Sequence, residues 1–460
     1  MKYYIWTVGC QMNVADSERL ARELADRGHE STGNARDADL VVMNTCSVRQ
    51  AAEEKAFGRA GSIKPLKEIR SDLIVAFGGC MVADDTVPEL RRRMPYVDHF
   101  FKPAAFGDLL TTIDAQGLDV GNGDHFGEGC LTGGTSGHEV LAGEQARVAR
   151  WVPVMTGCNR RCTYCIVPFR RGREISRPVN EIVGETERLV TIEGAREVTL
   201  LGQIVDRYGR DLLPDRPDLG FLMGRLSDIE GLERIRFLTS HPRDFRESII
   251  DAVAGIDKVC EHINIPVQAG DDEVLHRMRR GYTVEVYRGI VERIRGKIPD
   301  CSLATDIIVG FPGETEEEFQ STLDLLAEIR FDVVHVAIYS PRPGTRAFAE
   351  MPDDVPAAEK KARLHRVEIL QRDIADQINA RLLGGTVEVL VEELYKGKWK
   401  GRTRTNKLVF FADGRNWLGR LANVRITKTS PWSMQAEVVG GERPAEPRSQ
   451  AIALPMGAVG

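Results

Sequence analysis

No run of eighteen apolar residues occurs in this chain of 460 residues, so nothing in it reads as a membrane-spanning helix. The N-terminus (Met1, Lys2, Tyr3, Tyr4) enters a β-like stretch with neither the apolar segment nor the small-residue cleavage site of a secretory signal. A cytoplasmic protein with no membrane partner is therefore expected. Disulfides are not expected in a reducing compartment, and the nine cysteines are then ligands, catalytic thiols or core residues. Acid is nearly missing from one stretch. Between Lys396 and Lys428 stand ten Lys or Arg residues (396, 398, 400, 402, 404, 407, 415, 420, 425, 428) against the single Asp413, although the whole chain has a formal charge of −6. A basic segment on an acidic chain points to a polyanion partner, with a solvated charged face as the plain alternative.

The length accommodates two or three domains of about 100–200 residues each. In the first hundred residues, 3–8, 40–44 and 73–77 read as strands and 16–27, 50–70 and 84–93 as helices, a βαβ alternation that implies a parallel sheet. A Gly-rich, aperiodic linker over 117–146 follows. Strand candidates at 151–155, 197–201, 235–239, 262–267, 303–309 and 333–339, with helical stretches such as 180–193, 283–297 and 315–329, make six βα units. Such units form a full or partial parallel barrel with its chemistry at the strand C-termini. After a polar helix (356–383), only short β-like runs occur up to 439, a small all-β barrel with a Pro- and Gly-containing tail from 441. The expected fold is thus α/β: residues 1–116 a parallel-sheet domain, 147–383 a partial (β/α)6 barrel, 384–440 a small β-barrel and 441–460 a tail.

Cys158, Cys162 and Cys165 stand as C-x-x-x-C-x-x-C directly after the first barrel strand. Three thiolates at this spacing suit a [4Fe–4S] cluster with one iron left open for a substrate. Structural zinc would need a fourth Cys or His nearby, and none follows at the expected spacing; zinc or plain core cysteines are the lesser alternatives. Cys10, Cys46 and Cys80 lie far apart in sequence, yet each comes just after a predicted strand. In a parallel sheet all such positions share one edge, so the three thiols can converge on a second metal site, and Gly78 and Gly79 permit close backbone approach to a bulky group. Cys130, Cys260 and Cys301 fit no ligand pattern and read as linker or core thiols. Arg160, Arg161, Arg170, Arg171, Arg173 and Arg177 surround the triplet with Glu174 as the only acid, either to guide phosphates or as a solvated loop.

The triplet, with Tyr164 in the aromatic position, resembles the radical S-adenosylmethionine superfamily. Gly9-Cys10-Gln11-Met12-Asn13, Asn44-Thr45-Cys46-Ser47-Val48-Arg49 and Gly78-Gly79-Cys80-Met81 look like the N-terminal domain of its methylthiotransferase family. The likeness continues through Ser240-His241-Pro242, Pro266-Val267-Gln268-Ala269-Gly270, Arg280-Gly281-Tyr282-Thr283 and Gly310-Phe311-Pro312-Gly313-Glu314-Thr315. Tyr339-Ser340-Pro341-Arg342-Pro343-Gly344-Thr345 is typical of the branch acting on isopentenyladenosine in tRNA.

The resemblance implies a radical-generating cluster on Cys158, Cys162 and Cys165, and an auxiliary sulfur-carrying [4Fe–4S] cluster on Cys10, Cys46 and Cys80. It implies S-adenosylmethionine as cofactor, with Ser240, Gln268 and Arg280 as candidate contacts. The C-terminal segment resembles the TRAM barrel, which implies the tRNA anticodon stem-loop as partner. The reaction implied is methylthiolation of adenine C2 in N6-(dimethylallyl)adenosine 37, by a monomer served by an electron donor the sequence does not identify. Rivals are threonylcarbamoyladenosine or a ribosomal-protein aspartate as substrate, and a non-enzymatic RNA-binding iron–sulfur protein. Where the family usually reads Leu-Gly-Gln-Asn-Val-Asn, this chain has Leu201-Gly202-Gln203-Ile204-Val205-Asp206.

Overall fold

The computed structural model describes residues 1–47, 50–115, 138–140 and 148–440. Its first sheet runs in the order Glu30–Ser31, Lys2–Thr7, Leu40–Thr45, Ile74–Gly79, His99–Phe101, all parallel, and His138–Val140 pairs antiparallel with the strand Lys2–Thr7. Every position of the strands Leu40–Thr45 and Ile74–Gly79 is buried, most of them apolar, because both faces are covered. Tyr3, Ile5, Leu40, Val42, Ile74 and Ala76 point toward Leu20, Leu24 and Leu109 on one side. Their neighbours Tyr4, Trp6, Val41, Met43, Val75 and Phe77 pack with Ala56, Ile63 and Leu90 on the other. This is the period of two expected of a pleated strand.

The helix expected at 16–27 begins earlier, spanning Gln11–Asp26, with Cys10 in the N-cap position and no side-chain cap. No Ser, Thr, Asp or Asn marks its start, so its first turn carries no sequence signal. Met12 and Ala15 on that turn pack against Leu201, with Cys10, Trp151 and Leu238 at the rim, which seats the first domain on the central one.

The central domain is an arc of six parallel strands. Ala149–Pro153, Glu197–Leu201 and Arg234–Phe237 form one sheet; His262–Asn264, Ser302–Val309 and Val333–Ile338 form the next. A parallel bridge from Ile235 to Val259, just ahead of the fourth strand, and a bond from the Ser240 N–H to the Asn264 carbonyl at 3.2 Å join them. Two strands are shorter than expected for physical reasons. The third stops at Phe237 because Thr239 turns to φ 74°, and the fourth stops at Asn264 just before Pro266, which has no N–H for the ladder. The core lies between the arc and its covering helices, with Leu200, Phe237, Ile263, Ile307, Leu222, Tyr287 and Phe319 among its buried members.

The helix Ala357–Ala380 leads into a closed barrel of Thr386–Tyr395, Lys398–Thr403, Leu408–Phe411, Met434–Val438 and Leu421–Thr429, in that spatial order. Val389, Val391, Trp399, Val409, Phe411, Trp417, Val424 and Ile426 fill it. Among the described residues no helix is long and apolar enough to cross a membrane.

Part of the C-terminal basic stretch serves docking. Arg404 pairs with Glu261 at 2.7 Å and Lys407 with Asp332 at 2.6 Å, both across to the central domain. In return the buried Arg234 and Arg236 give hydrogen bonds to the main-chain carbonyls of Arg402, Thr403 and Arg404. Lys396, Lys398 and Lys428 stand exposed.

Candidate active site

The triplet loop leaves the strand Ala149–Pro153, makes a two-residue antiparallel pairing of Met155–Thr156 with Ile175–Ser176, and then delivers Cys158, Cys162 and Cys165. Gly157 is required there: at φ 74°, an added Cβ would sit 1.9 Å from the Arg173 carbonyl. Asn159 and Glu174 close the loop across its neck, the Asn159 N–H donating to the Glu174 carboxylate at 3.0 Å. Glu174 is held in turn by Arg207 at 2.7 Å. Further along, Thr163 is tied through its N–H to Met278 and through its hydroxyl to Arg277, and Tyr164 meets the Phe311 ring edge-on at 6.4 Å.

The candidate cofactor contacts lie at the strand ends. Arg280 is buried and donates from Nη1 to the Cys162 sulfur and to the Tyr164 hydroxyl, both at 3.4 Å, and from Nη2 to the Pro266 carbonyl at 3.0 Å. Gln268 holds a left-handed backbone, φ 75°, while its N–H bonds the Asp306 carbonyl. Ser240 is 2% exposed and its hydroxyl makes no hydrogen bond of standard geometry, although it lies beside the Asp206 carboxyl. Thr239, β-branched and left-handed, is a strained neighbour that sequence patterns do not reveal.

Asp206, in the position where an Asn is usual, is buried and accepts the His241 N–H at 2.6 Å through Oδ2, leaving Oδ1 unpartnered. Burial pushes its pKa up to about 7, opposed by that hydrogen bond and reinforced by nearby Asp244. Asp244 ties this corner to the triplet, because it is an ion-pair partner of Arg160, whose N–H reaches the Cys158 sulfur at 3.4 Å.

Cys10, Cys46 and Cys80 stand at one edge of the first sheet, and Asn13 gathers their loops. Its Oδ1 lies 3.4 Å from the Cys10 sulfur and 3.9 Å from that of Cys80, while its Nδ2 donates to the Thr45 carbonyl at 2.6 Å. Asn44 secures Asn13 from behind, donating from Nδ2 to the Asn13 carbonyl and to Ser17 Oγ, both at 2.8 Å. The glycines work differently from the expectation. A Cβ on Gly78 would strike the Phe101 ring at 2.1 Å, and one on Gly79, at φ 93°, would strike the Thr45 carbonyl at 2.3 Å. Both admit other parts of the protein; Gly9, whose Cβ would fall 2.5 Å from that of Cys46, is the glycine that lets two cysteine loops meet.

The basic cluster around the triplet is largely paired. Arg160 binds Asp244, Arg170 binds Asp85 at 2.7 Å, Arg171 binds Asp16 at 3.0 Å, and Arg177 binds Glu185 at 2.7 Å. Four of the six arginines offered for guiding phosphates therefore hold the domains together or brace the loop, and Arg161 and Arg173 stand exposed.

No three Cys, His, Asp or Glu side chains among the described residues are gathered tightly enough for a single metal ion. The fit of the two thiol sets to a larger group rests on donor chemistry. Burial pushes Cys158 up to about 11, Cys165 to about 12 and Cys80 to about 12, with a further upward push on Cys158 from Cys162 and on Cys165 and Cys80 from both other thiols of their sets. Buried thiols of this kind ionise beside one another only against a strong local positive charge, which cluster iron supplies, and each set contains at least one of them. Cys260 and Cys301 are buried core thiols, and Cys130 lies outside the described residues.

Residues 152–326 match the model of the Radical SAM superfamily, 2–102 that of Uncharacterized protein family UPF0004, and 380–439 that of the TRAM domain. The chain is 48% identical over 445 residues to the tRNA-2-methylthio-N(6)-dimethylallyladenosine synthase of Roseiflexus sp. (strain RS-1), covering 94% of this chain and 89% of that one. It is 45% identical to the protein of the same name from Herpetosiphon aurantiacus, covering 95% and 98%. Among solved structures, the radical S-adenosylmethionine methyltransferase TsrM from Kitasatospora setae, with cobalamin and a [4Fe-4S] cluster bound, superposes at a TM-score of 0.53. Identity to it is 17%, with 76% of this chain and 77% of that one covered, a likeness of fold.

Proposed function

The chain belongs to the tRNA-2-methylthio-N(6)-dimethylallyladenosine synthase family, and from that premise we propose that it replaces the C2 hydrogen of adenine in N6-(dimethylallyl)adenosine 37 of tRNA with a methylthio group. Cys158, Cys162 and Cys165 would hold the radical-generating [4Fe–4S] cluster, and Cys10, Cys46 and Cys80 the auxiliary one. When bound, these clusters and S-adenosylmethionine supply the radical that activates carbon, the sulfur and the methyl group. The observation that supports the reading is the reach of Arg171, six residues after Cys165, to Asn13 between Cys10 and Cys80, a contact that ties the triplet's loop to the loop of the second set.

The residues around the sets then have definite tasks. Arg280 donates to the Cys162 sulfur and to the Pro266 carbonyl, which ties the triplet loop to the end of the fourth strand. Tyr164 and Phe311 close the loop's inner side against water. The Ser240 hydroxyl and the Asp206 carboxyl lie buried beside one another, and Gln268 stands at the next strand end. These three strand ends would bind S-adenosylmethionine and orient it toward the triplet.

The same proposal assigns residues 1–116 to the auxiliary cluster, 147–383 to the radical chemistry and 384–440 to RNA, with 117–146 as linker and 441–460 as tail. The exposed Lys396, Lys398 and Lys428 would meet phosphates of the anticodon stem-loop, whose unstacked bases can be splayed into a site at modest cost. The enzyme would work in the cytoplasm as a monomer with a separate electron donor.

Anaerobic reconstitution with tRNA bearing the isopentenyl group, followed by nucleoside mass spectrometry, tests the reading. The 2-methylthio nucleoside is the expected product, with none formed from threonylcarbamoyl-tRNA. Its absence with both clusters loaded would sink the proposal.

A further inference from the structure

Resting on the two-cluster reading above, we infer that Arg171 is a positioning residue for the auxiliary centre. It is a fixed cation, delivered by the radical loop, that sets how readily the cluster on Cys10, Cys46 and Cys80 accepts an electron. Arg171 ends the short helix Val167–Arg171 that follows Cys165. Its side chain is 3% exposed, and its Nη2 donates to Asn13 Oδ1 at 3.1 Å and to Asp16 Oδ2 at 3.0 Å. The guanidinium faces the Cys80 and Cys10 thiols.

Asn13 makes this contact directional. Its Nδ2 is committed to the Thr45 carbonyl, so Oδ1 is the end turned toward both the thiols and the arginine. Asp16, with 5% of its side chain exposed, is the counter-ion on the same helix as Asn13. A [4Fe–4S] core of charge 2+ with three thiolates is a net monoanion that becomes a dianion on one-electron reduction. A buried cation beside it stabilises the dianion more, and low dielectric strengthens the effect. The Asp16 carboxylate opposes Arg171, so the two residues act on the cluster with opposite sign. Arg170, one residue earlier, is a natural control. It also bridges the domains, to Asp85 at 2.7 Å, but its partner is 71% exposed.

The test uses the full-length chain with Cys158, Cys162 and Cys165 changed to Ala, so that only the auxiliary set remains. After anaerobic reconstitution, iron and sulfide content and an EPR-monitored redox titration are measured. Arg171→Met is expected to move the potential to more negative values, Asp16→Asn to more positive values, and Arg171→Lys to restore part of the loss. Arg170→Met is expected to leave it in place. Equal potentials in all variants, or shifts of the same sign for Arg171→Met and Asp16→Asn, would overturn the inference. Should Arg171→Met fail to retain iron, the sign for Asp16→Asn decides alone: positive supports the inference, zero or negative overturns it. A parent with no cluster at all removes the two-cluster reading itself, and that result appears before any Arg171 variant is made.

Discussion

The two thiol sets are built by opposite routes. Cys158, Cys162 and Cys165 span eight residues, and their loop is closed by near neighbours in sequence, Asn159 with Glu174 and Gly157 under Arg173. Cys10, Cys46 and Cys80 meet only because three parallel strands end at one edge, and the residue that gathers them, Asn13, bonds partners more than thirty positions away. The first set is a local motif placed on a scaffold. The second is a property of the scaffold. Damage to the first should therefore stay confined to its chemistry, whereas damage to the second should spread into the fold.

The sharpest break of that contrast is between cysteines. Cys158→Ala is expected to abolish both 5′-deoxyadenosine release and the methylthio nucleoside. Cys46→Ala is expected to abolish the nucleoside while 5′-deoxyadenosine still forms. Chromatography of both products after adding dithionite and S-adenosylmethionine checks this, and loss of both compounds in Cys46→Ala would merge the two roles. A smaller effect separates the two asparagines. Asn13→Ala strips the buried Thr45 carbonyl and Arg171 of a partner and is expected to cost about 2–4 kcal/mol in denaturant unfolding, with iron falling toward one cluster per chain. Asn159→Ala, on an exposed loop, is expected to cost about 1 kcal/mol or less.

A pH-dependent effect concerns the corner behind the triplet. Asp206, raised by burial to about 7, keeps a proton in the folded chain that the unfolded chain releases near pH 4. Its contribution to stability therefore falls as pH rises from about 4 to about 7, by roughly 1 kcal/mol per unit, and is constant above. Asp206→Asn carries no such proton. It is expected to melt higher than the parent at pH 8 and alike at pH 4; equal melting temperatures at both would contradict the burial argument.

The βα rhythm of both larger domains was legible because strands buried on both faces demand nearly continuous apolar runs, and the C-terminal barrel because its short strands alternate buried and more exposed residues. Both cysteine sets could be singled out, one by spacing and one by position after strands. What could not be read was contact across sequence. Nothing in the run Phe169-Arg170-Arg171-Gly172-Arg173 distinguishes the two arginines that reach the first domain from Arg173, which stays exposed, since charge alone does not specify burial. Arg234 and Arg236 look like ordinary strand residues until a second domain covers them. The start of the helix at Gln11 was hidden for another reason: Cys10 stands where a capping residue would, so the usual marker is absent.

That way of covering Arg234 and Arg236 bears on how the protein can change over time. Both arginines grip main-chain oxygens at residues 402, 403 and 404, atoms that every amino acid possesses. Apart from the Arg234 ion pair with the Glu388 side chain at 3.0 Å, this half of the joint reads the path of the barrel's backbone. Side chains on the outer face of the barrel can therefore drift, or the barrel can be exchanged for another of the same backbone course, without loosening the grip on those three oxygens.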